Sequence, residues 1–188
     1  MTAFAVSVVA VAIAEIGDKT QLLSLVLVTR FGRPGLITLG ILVATLANHG
    51  LAGWLGVIAA QLVDPQTVRW ILAGSFAAMA VWLLIPDRID EDEVPRPVAG
   101  ASVLLTTLVL FFLAEIGDKT QVATVVLAAR YEEGLYAVVA GTTVGMLLAN
   151  VPVLYGGRAL MARLPLLWVN RAAALLFLLL AIATLLTD

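Results

Sequence analysis

The chain has 188 residues, of which 62% are hydrophobic and 13% are charged, with a formal net charge of -2. Its mean hydropathy of +1.05 excludes a water-soluble domain, because so few polar residues could not cover a solvated surface. It contains no cysteine, which excludes a disulfide framework, a thiolate metal site and thiol redox chemistry.

Six apolar runs predict six transmembrane helices, because each reaches about the ~20 residues that an α-helix needs to cross the hydrocarbon core. They are too long, and alternate too little, for the ~10-residue strands of an outer-membrane barrel. We therefore predict an all-α integral membrane protein whose partner is the lipid bilayer, with no nucleic acid partner. The runs cover residues 3–29, 35–63, 67–85, 100–128, 135–161 and 166–187.

The first and fourth runs contain the same eight letters, AEIGDKTQ, at residues 14–21 and 114–121. Around these letters the two halves of the chain align over three helices each. Because three is an odd number of crossings, the second copy must enter the membrane upside down, which is the inverted-repeat plan of many secondary transporters. We predict repeat one at residues 1–86, an acidic cytoplasmic linker at 87–97 and repeat two at 98–188.

The arginines predict the orientation, because cytoplasmic loops retain Lys and Arg. The turns after the second and fourth helices hold only Arg69 and Arg130, so these turns and both termini are expected to face outward. The basic residues assigned to the cytoplasmic side are Arg30, Arg33, Arg88, Arg96, Arg158, Arg163 and Arg171.

The repeated motif places charged side chains near the centre of an apolar run. On one continuous helix, Glu15 and Asp18 are three residues apart and share a face, with Lys19 one turn from Glu15. Gly17 removes a side chain beside them, which lets helices approach closely or lets the backbone loosen. Inversion of the second copy would bring the acids of both copies together near the midplane. The four acids are Glu15, Asp18, Glu115 and Asp118.

Six charged side chains inside a membrane need compensation, since at roughly 3 kcal/mol each they would cost on the order of 18 kcal/mol. Ion pairing within each motif, Glu15 with Lys19 and Glu115 with Lys119, is one answer, and it would only hold the bundle together. Such pairing leaves four carboxylates facing two ammonium groups, so two negative charges stay uncompensated. One divalent cation or two protons would neutralise these charges, which leads to the hypothesis of proton-coupled divalent cation antiport.

Further oxygen ligands lie near the acids, and such a set suits hard cations such as Ca²⁺, Mn²⁺ and Mg²⁺. In the second and fifth helices, an asparagine precedes Gly50 or Pro152 by two residues, and helix interruptions at matching positions indicate a transporter site. The same side chains could equally bond neighbouring helices. The supporting ligands considered are Thr20, Gln21, Asn48, Thr120, Gln121 and Asn150.

Four other residues receive structural interpretations. His49, the only histidine, is interpreted as a packed or hydrogen-bonded residue, with a proton relay as the alternative. Trp82 is assigned an ordinary lipid or core contact. Gly141 and Gly145 form a small-residue packing face, either within the fold or between protomers, which leaves a homo-oligomer open.

The doubled motif EIGDKT, at residues 15–20 and 115–120, resembles the paired ExGD(K/R)(S/T) signature of the Gdt-type family, also called the Ca²⁺:H⁺ antiporter-2 family. The resemblance covers almost the whole chain. It implies an exchanger of Mn²⁺ or Ca²⁺ driven by protons, and the compact chain implies a bacterial member in the plasma membrane. The cation ligands that it implies are Glu15, Asp18, Glu115 and Asp118.

The resulting prediction is a transporter, not an enzyme, that exports Mn²⁺, or next Ca²⁺, in exchange for protons by alternating access. It needs no cofactor, because the metal is its substrate. Two alternatives stay open, an exporter of a small organic cation and a non-transporting membrane assembly protein whose charges only pair helices. An intramembrane hydrolase is disfavoured, since the sequence has no Ser/His or HExxH arrangement.

Overall fold

The computed structural model describes residues 2–85, 102–161 and 165–186, and these residues form helices with short connections. This confirms the all-α prediction for the described part of the chain. The predicted acidic linker at residues 87–97 lies outside the described residues. Of the basic residues used for orientation, the same holds for the side chains of Arg88, Arg96, Arg158 and Arg163.

The described residues form eight α-helices and a 3₁₀ turn at Glu132–Gly134. The second, third, fifth and sixth apolar runs each correspond to one helix. The first and fourth runs are each divided into two short helices, so the prediction of one continuous helix was wrong in both. The helices are α1 (Thr2–Ala14), α2 (Lys19–Phe31), α3 (Pro34–Gln61), α4 (Pro65–Leu83), α5 (Val103–Glu115), α6 (Lys119–Arg130), α7 (Leu135–Met161) and α8 (Leu166–Leu186).

The repeated motif itself interrupts the helix in both halves. Gly17 and Gly117 have φ angles of 87° and 77°, which glycine adopts readily and residues with a Cβ atom avoid. The chain therefore turns within the motif before the next helix begins. Glu15 and Asp18 consequently flank a turn, and the prediction that they share a face of one helix was wrong.

The predicted interruptions of the second and fifth helices were also wrong. Helix α3 continues through Gly50, and α7 continues through Pro152. Membrane helices tolerate both residues when neighbouring helices hold the backbone in place. Helix α7 instead departs from helical geometry at Gly157, where φ is 57° and ψ is -154°.

Three segments are each long and apolar enough to cross a membrane by length and composition, namely α3, residues 132–157 and α8. Helices α1 and α5 are apolar but shorter. Large apolar side chains such as Leu46, Trp54 and Leu178 are exposed on the outside of the bundle. A surface of this kind suits contact with lipid tails, which agrees with a multi-pass membrane protein.

The central helices α3 and α7 pack closely against motif helices of the opposite half. A Cβ atom added at Gly40 of α3 would lie 2.7 Å from Thr107 Cβ of α5. One added at Gly141 of α7 would lie 2.6 Å from the Phe4 carbonyl oxygen of α1, and Gly145 is equally tight. The small-residue face of α7 thus packs within the fold, which resolves the alternative left open for it.

Helices α4 and α8 pack against each other, while α4 also packs against α6 and α8 against α1. Phe76 and Phe177 meet between them with ring centroids 6.1 Å apart. Arg69 of α4 donates from Nε to the Thr184 carbonyl oxygen at 3.1 Å and from Nη2 to that of Leu185. Because the last carbonyls of a helix have no partner within it, this arginine ties the end of α8 to α4.

We expect Gly56→Ala to destabilise the protein and Gly50→Ala, in the same helix, to leave it unchanged or slightly more stable. A Cβ atom at Gly56 would lie 2.3 Å from the Val125 carbonyl oxygen of α6, whereas one at Gly50 has no neighbour within 4 Å. Overpacking of this kind costs about 1–3 kcal/mol. Thermal unfolding of both purified variants in detergent measures the difference, and equal melting temperatures would contradict this packing.

Candidate cation site

Each motif begins its second helix with an aspartate as the N-cap. The Thr20 amide N–H donates to Asp18 Oδ2 at 3.3 Å, and the Thr120 amide N–H donates to Asp118 Oδ2 at 3.4 Å. A carboxylate at this position satisfies a free backbone donor and complements the positive end of the helix dipole. The capping aspartates therefore fix where α2 and α6 begin, next to the helix breaks.

The two motif glutamates are fully buried, and each has one partnered and one unpartnered oxygen. Thr20 Oγ1 donates to Glu15 Oε2 at 2.7 Å, and Thr120 Oγ1 donates to Glu115 Oε2 at 3.1 Å. Among the residues that the structure describes, the Oε1 atom of each glutamate has no hydrogen-bond partner. A buried carboxylate oxygen without a partner is costly, so both atoms are suited to bind a cation or a proton.

Three of the four predicted acids lie together. One carboxylate oxygen from each of Glu15, Glu115 and Asp118 lies within 4.8 Å of the other two, and all three side chains are buried. The group draws on both halves of the chain. Asp18 is buried as well, with 3% of its surface exposed, but it is not part of this three-acid group.

Lys19 is not paired within its own motif as one interpretation expected. Lys19 Nζ forms an ion pair with Asp118 Oδ1 of the other half at 2.9 Å, so the predicted Glu15–Lys19 pair was wrong. The hydroxyl of Thr20, the next residue, bonds Glu15 instead. Lys119 is 5% exposed, and its Nζ lies 6.0 Å from the centroid of the Trp82 ring.

The glutamines, considered as supporting ligands, brace the helix breaks. Gln21 Oε1 accepts from the Gly17 amide N–H at 2.9 Å, and Gln121 Oε1 accepts from that of Gly117 at 2.7 Å. Gln21 Nε2 also donates to the Ala149 carbonyl oxygen of α7 at 2.8 Å. Each amide oxygen thus satisfies a backbone donor freed by the turn, and Gln21 joins that turn to the opposite half.

The asparagines also connect the halves. Asn48 Nδ2 donates to the Phe112 carbonyl oxygen of α5 at 2.9 Å, while its Oδ1 accepts from Gln121 Nε2 at 3.4 Å. Asn150 Oδ1 accepts from Ser24 Oγ at 2.9 Å. Among the described residues, Asn48 and Asn150 therefore form hydrogen bonds between helices, which was one of the two interpretations considered for them.

Sequence reasoning missed two side chains beside the site and left a third partly described. Ser24 carried a signal, because it aligns with Thr124 in the repeat, yet its bond to Asn150 joins residues far apart in sequence. Trp82 carried none, since nothing in the sequence relates it to Lys119. His49 is fully buried, as the packed interpretation requires, and neither of its ring nitrogens has a hydrogen-bond partner among the described residues.

The family model of the divalent cation/proton antiporter GDT1 matches residues 3–91 and 103–188 of this chain. The chain belongs to the GDT1 family. This confirms the resemblance carried by the doubled motif, and with it a membrane transporter that exchanges a divalent cation for protons. The match covers both copies of the motif and therefore every residue of the three-acid group.

Several relatives of this GDT1 protein match over nearly its whole length. A "putative manganese exporter" of Vibrio cholerae is 48% identical over 184 residues, which cover 98% of this chain and 90% of that protein. GDT1-like proteins of Synechocystis and Arabidopsis thaliana are 24% and 26% identical, over 98% and 93% of this chain and 97% and 91% of their own lengths. No solved structure matches the chain.

We expect Thr20→Val to lower the stability of the protein by about 1–3 kcal/mol, because both oxygens of a buried glutamate would then lack a partner. Thr20→Ser keeps the hydroxyl that bonds Glu15 and should remain close to the wild type. Thermal unfolding without added cation compares the two variants. A larger loss in Thr20→Ser than in Thr20→Val would contradict this expectation, because it would show that the methyl group of Thr20, rather than its hydroxyl, holds this part of the site.

Proposed function

We propose that this GDT1 antiporter binds its cation between Glu15, Glu115 and Asp118 and exports Mn²⁺ from the cytoplasm in exchange for protons. The observation that carries the proposal is the pair of buried, unpartnered oxygens, Glu15 Oε1 and Glu115 Oε1. They belong to side chains of one group of acids, which is drawn from both motifs. A divalent cation or protons would supply the charge compensation that these oxygens lack.

The chemistry of the donors supports a hard divalent cation. The group offers only carboxylate oxygens, which suit Mn²⁺, Ca²⁺ and Mg²⁺ and do not favour softer metals. The name of the Vibrio relative supports Mn²⁺ as the first choice, with Ca²⁺ as the next. The small separation of the three carboxylates supports one inorganic ion over a larger organic cation. No cofactor is required, because the metal is the substrate.

For the membrane arrangement, we propose six crossings in two inverted halves at residues 1–86 and 98–188. In this arrangement α1 with α2 forms one interrupted crossing, and α5 with α6 forms another. The same break, caps and glutamine brace recur in both motifs, which supports an internal repeat. Both termini face outward, as the arginine distribution favours, and the protein lies in the plasma membrane.

The mechanism is alternating access around the shared acids. Deprotonated carboxylates take the cation from the cytoplasmic side, and protons from outside then displace it. Both loading states neutralise the same negative charge, so one site can hold either substrate but not both at once. The bonds from Gln21 and Asn48 cross the interface between the halves, so rocking of one half against the other would have to break or exchange them.

Glu115→Gln and Asp118→Asn are expected to reduce Mn²⁺-dependent proton movement in proteoliposomes to the level of empty liposomes. Each change removes a negative charge from the site while nearly preserving side-chain shape. Glu132→Gln, in the exposed 3₁₀ turn, is the matched control and should transport like the wild type. Retained flux in the site variants, with normal size-exclusion profiles, would instead support a protein whose charges only pair helices.

Wild-type proteoliposomes tested in parallel with Mn²⁺, Ca²⁺, Mg²⁺ and a small organic cation should respond most strongly to Mn²⁺. Exchange of one divalent cation for two protons moves no net charge, so an imposed membrane potential should leave the rate unchanged. A response to the organic cation alone would contradict the proposed substrate, and a potential-dependent rate would contradict the proposed ratio.

A further inference from the structure

Lys19 is a half-exposed cation that is bonded to a buried carboxylate. Its Nζ lies 2.9 Å from Asp118 Oδ1, and the side chains are 47% and 7% exposed respectively. The lysine opens α2 in the first half, whereas the aspartate caps α6 in the second. This ion pair therefore joins the halves at the edge of the three-acid group and reaches the accessible surface.

Asp118 is also one of the three acids whose oxygens lie within 4.8 Å of one another. An ammonium group at 2.9 Å from Asp118 and a divalent cation held by the same carboxylate would repel each other strongly at such a distance. Lysine has a flexible four-carbon chain, so a half-exposed lysine can withdraw from the carboxylate when water enters the site. Lys19 and the transported cation are therefore competitors for one ligand.

We propose that Lys19 is a tethered counter-ion that occupies Asp118 while the site holds no metal and is displaced when the metal binds. The inference rests on the proposed role of the three acids as the cation site. By competing with the metal for Asp118, Lys19 keeps the metal affinity low enough for release during each cycle. A three-acid group without such a competitor would bind a divalent cation tightly and release it slowly.

The second lysine is in a different position. Lys119 is 5% exposed, and its ammonium group lies 6.0 Å from the centroid of the Trp82 ring, which belongs to the first half. An enclosed ammonium group cannot withdraw to water without moving the helices around it. The two lysines share the same motif letter, but the Lys19 side chain is 47% exposed, whereas Lys119 is 5% exposed.

The affinity test uses the full-length protein with Lys19→Met and Lys19→Arg. Removal of the charge should lower the Mn²⁺ dissociation constant by about tenfold or more, since each unit charge this close changes binding by at least that factor. In proteoliposomes the same variant should show a lower KM and a lower kcat, because release becomes slow. Lys19→Arg keeps a competing positive charge, so its Mn²⁺ dissociation constant should be higher than that of Lys19→Met.

A second measurement uses the wild type alone, so it does not depend on how the variants fold. Lys19 and Lys119 are the chain's two lysines, and mass spectrometry can follow acetylation of each by a water-soluble reagent. Mn²⁺ should accelerate acetylation of Lys19 several-fold, because it frees the ammonium group from Asp118, and should leave Lys119 unchanged.

The outcomes separate this inference from the proposed function. If the wild type transports Mn²⁺ but Lys19→Met binds it with equal or lower affinity, Lys19 is not a competitor and the inference is overturned. Acetylation of Lys19 that stays constant or slows with Mn²⁺ overturns it as well. If the wild type neither binds nor transports a divalent cation, the proposed function fails, and this inference falls with it.

Discussion

The structure depends on two glutamates that are buried with half of their hydrogen-bonding capacity unused. Glu15 and Glu115 each accept a hydrogen bond from a threonine hydroxyl through one oxygen. The other oxygen of each has no partner among the described residues. In a membrane protein such atoms cannot be rescued by bulk water, so the surroundings must hold them in place at a cost in stability. The remaining letters of the motif meet this requirement, with glycine for the turn, aspartate for the cap, threonine for the donor and glutamine for the brace.

Neither half could form this arrangement alone, because much of what holds each motif comes from the other half. The break at Gly17 is braced by Gln21, which bonds a carbonyl oxygen of α7, and Lys19 bonds Asp118. In return, Asn48 of α3 bonds a carbonyl oxygen of α5. The glycines of α3 and α7 let these helices approach the opposite motif helices closely enough for such bonds. Changes at the interface between the halves are therefore transmitted directly to the acids.

The sequence predicted the long helices and the convergence of the acids, and both predictions have a physical basis. Continuous apolar runs define α3, α4, α7 and α8, and the doubled motif indicated that acids of both halves would meet. A loosened backbone was one of two interpretations of Gly17, and the sequence could not decide between them, because the apolar character of the run continues on both sides of this glycine. Sequence spacing suggested Glu15 as the partner of Lys19, since helical neighbours are the only contacts that spacing can indicate. The actual partner, Asp118, depends on how the halves dock.

The same limit applies to side chains whose chemistry allows two roles. Gln21 and Asn48 carry oxygens that could bind a cation, and only the structure shows that their amide nitrogens donate to backbone carbonyl oxygens of the opposite half. Gly50 and Pro152 weaken isolated helices, but tertiary packing keeps α3 and α7 intact around them. The repeat therefore predicted that acids of both halves converge, whereas the contacts of the individual side chains required the packed structure.

The two motifs have identical letters, so any difference between them must come from their neighbours. A Cβ atom at Gly17 would lie 2.5 Å from Leu166 Cδ2 of α8, whereas one at Gly117 has no neighbour within 4 Å. Ser24 bonds Asn150 across the halves, whereas the aligned Thr124 bonds Thr120 within its own helix. The first break is thus covered and the second is open. In the proposed cycle the packing around the two breaks would exchange. A shared site opens to one side of the membrane only when packing closes its path to the other side.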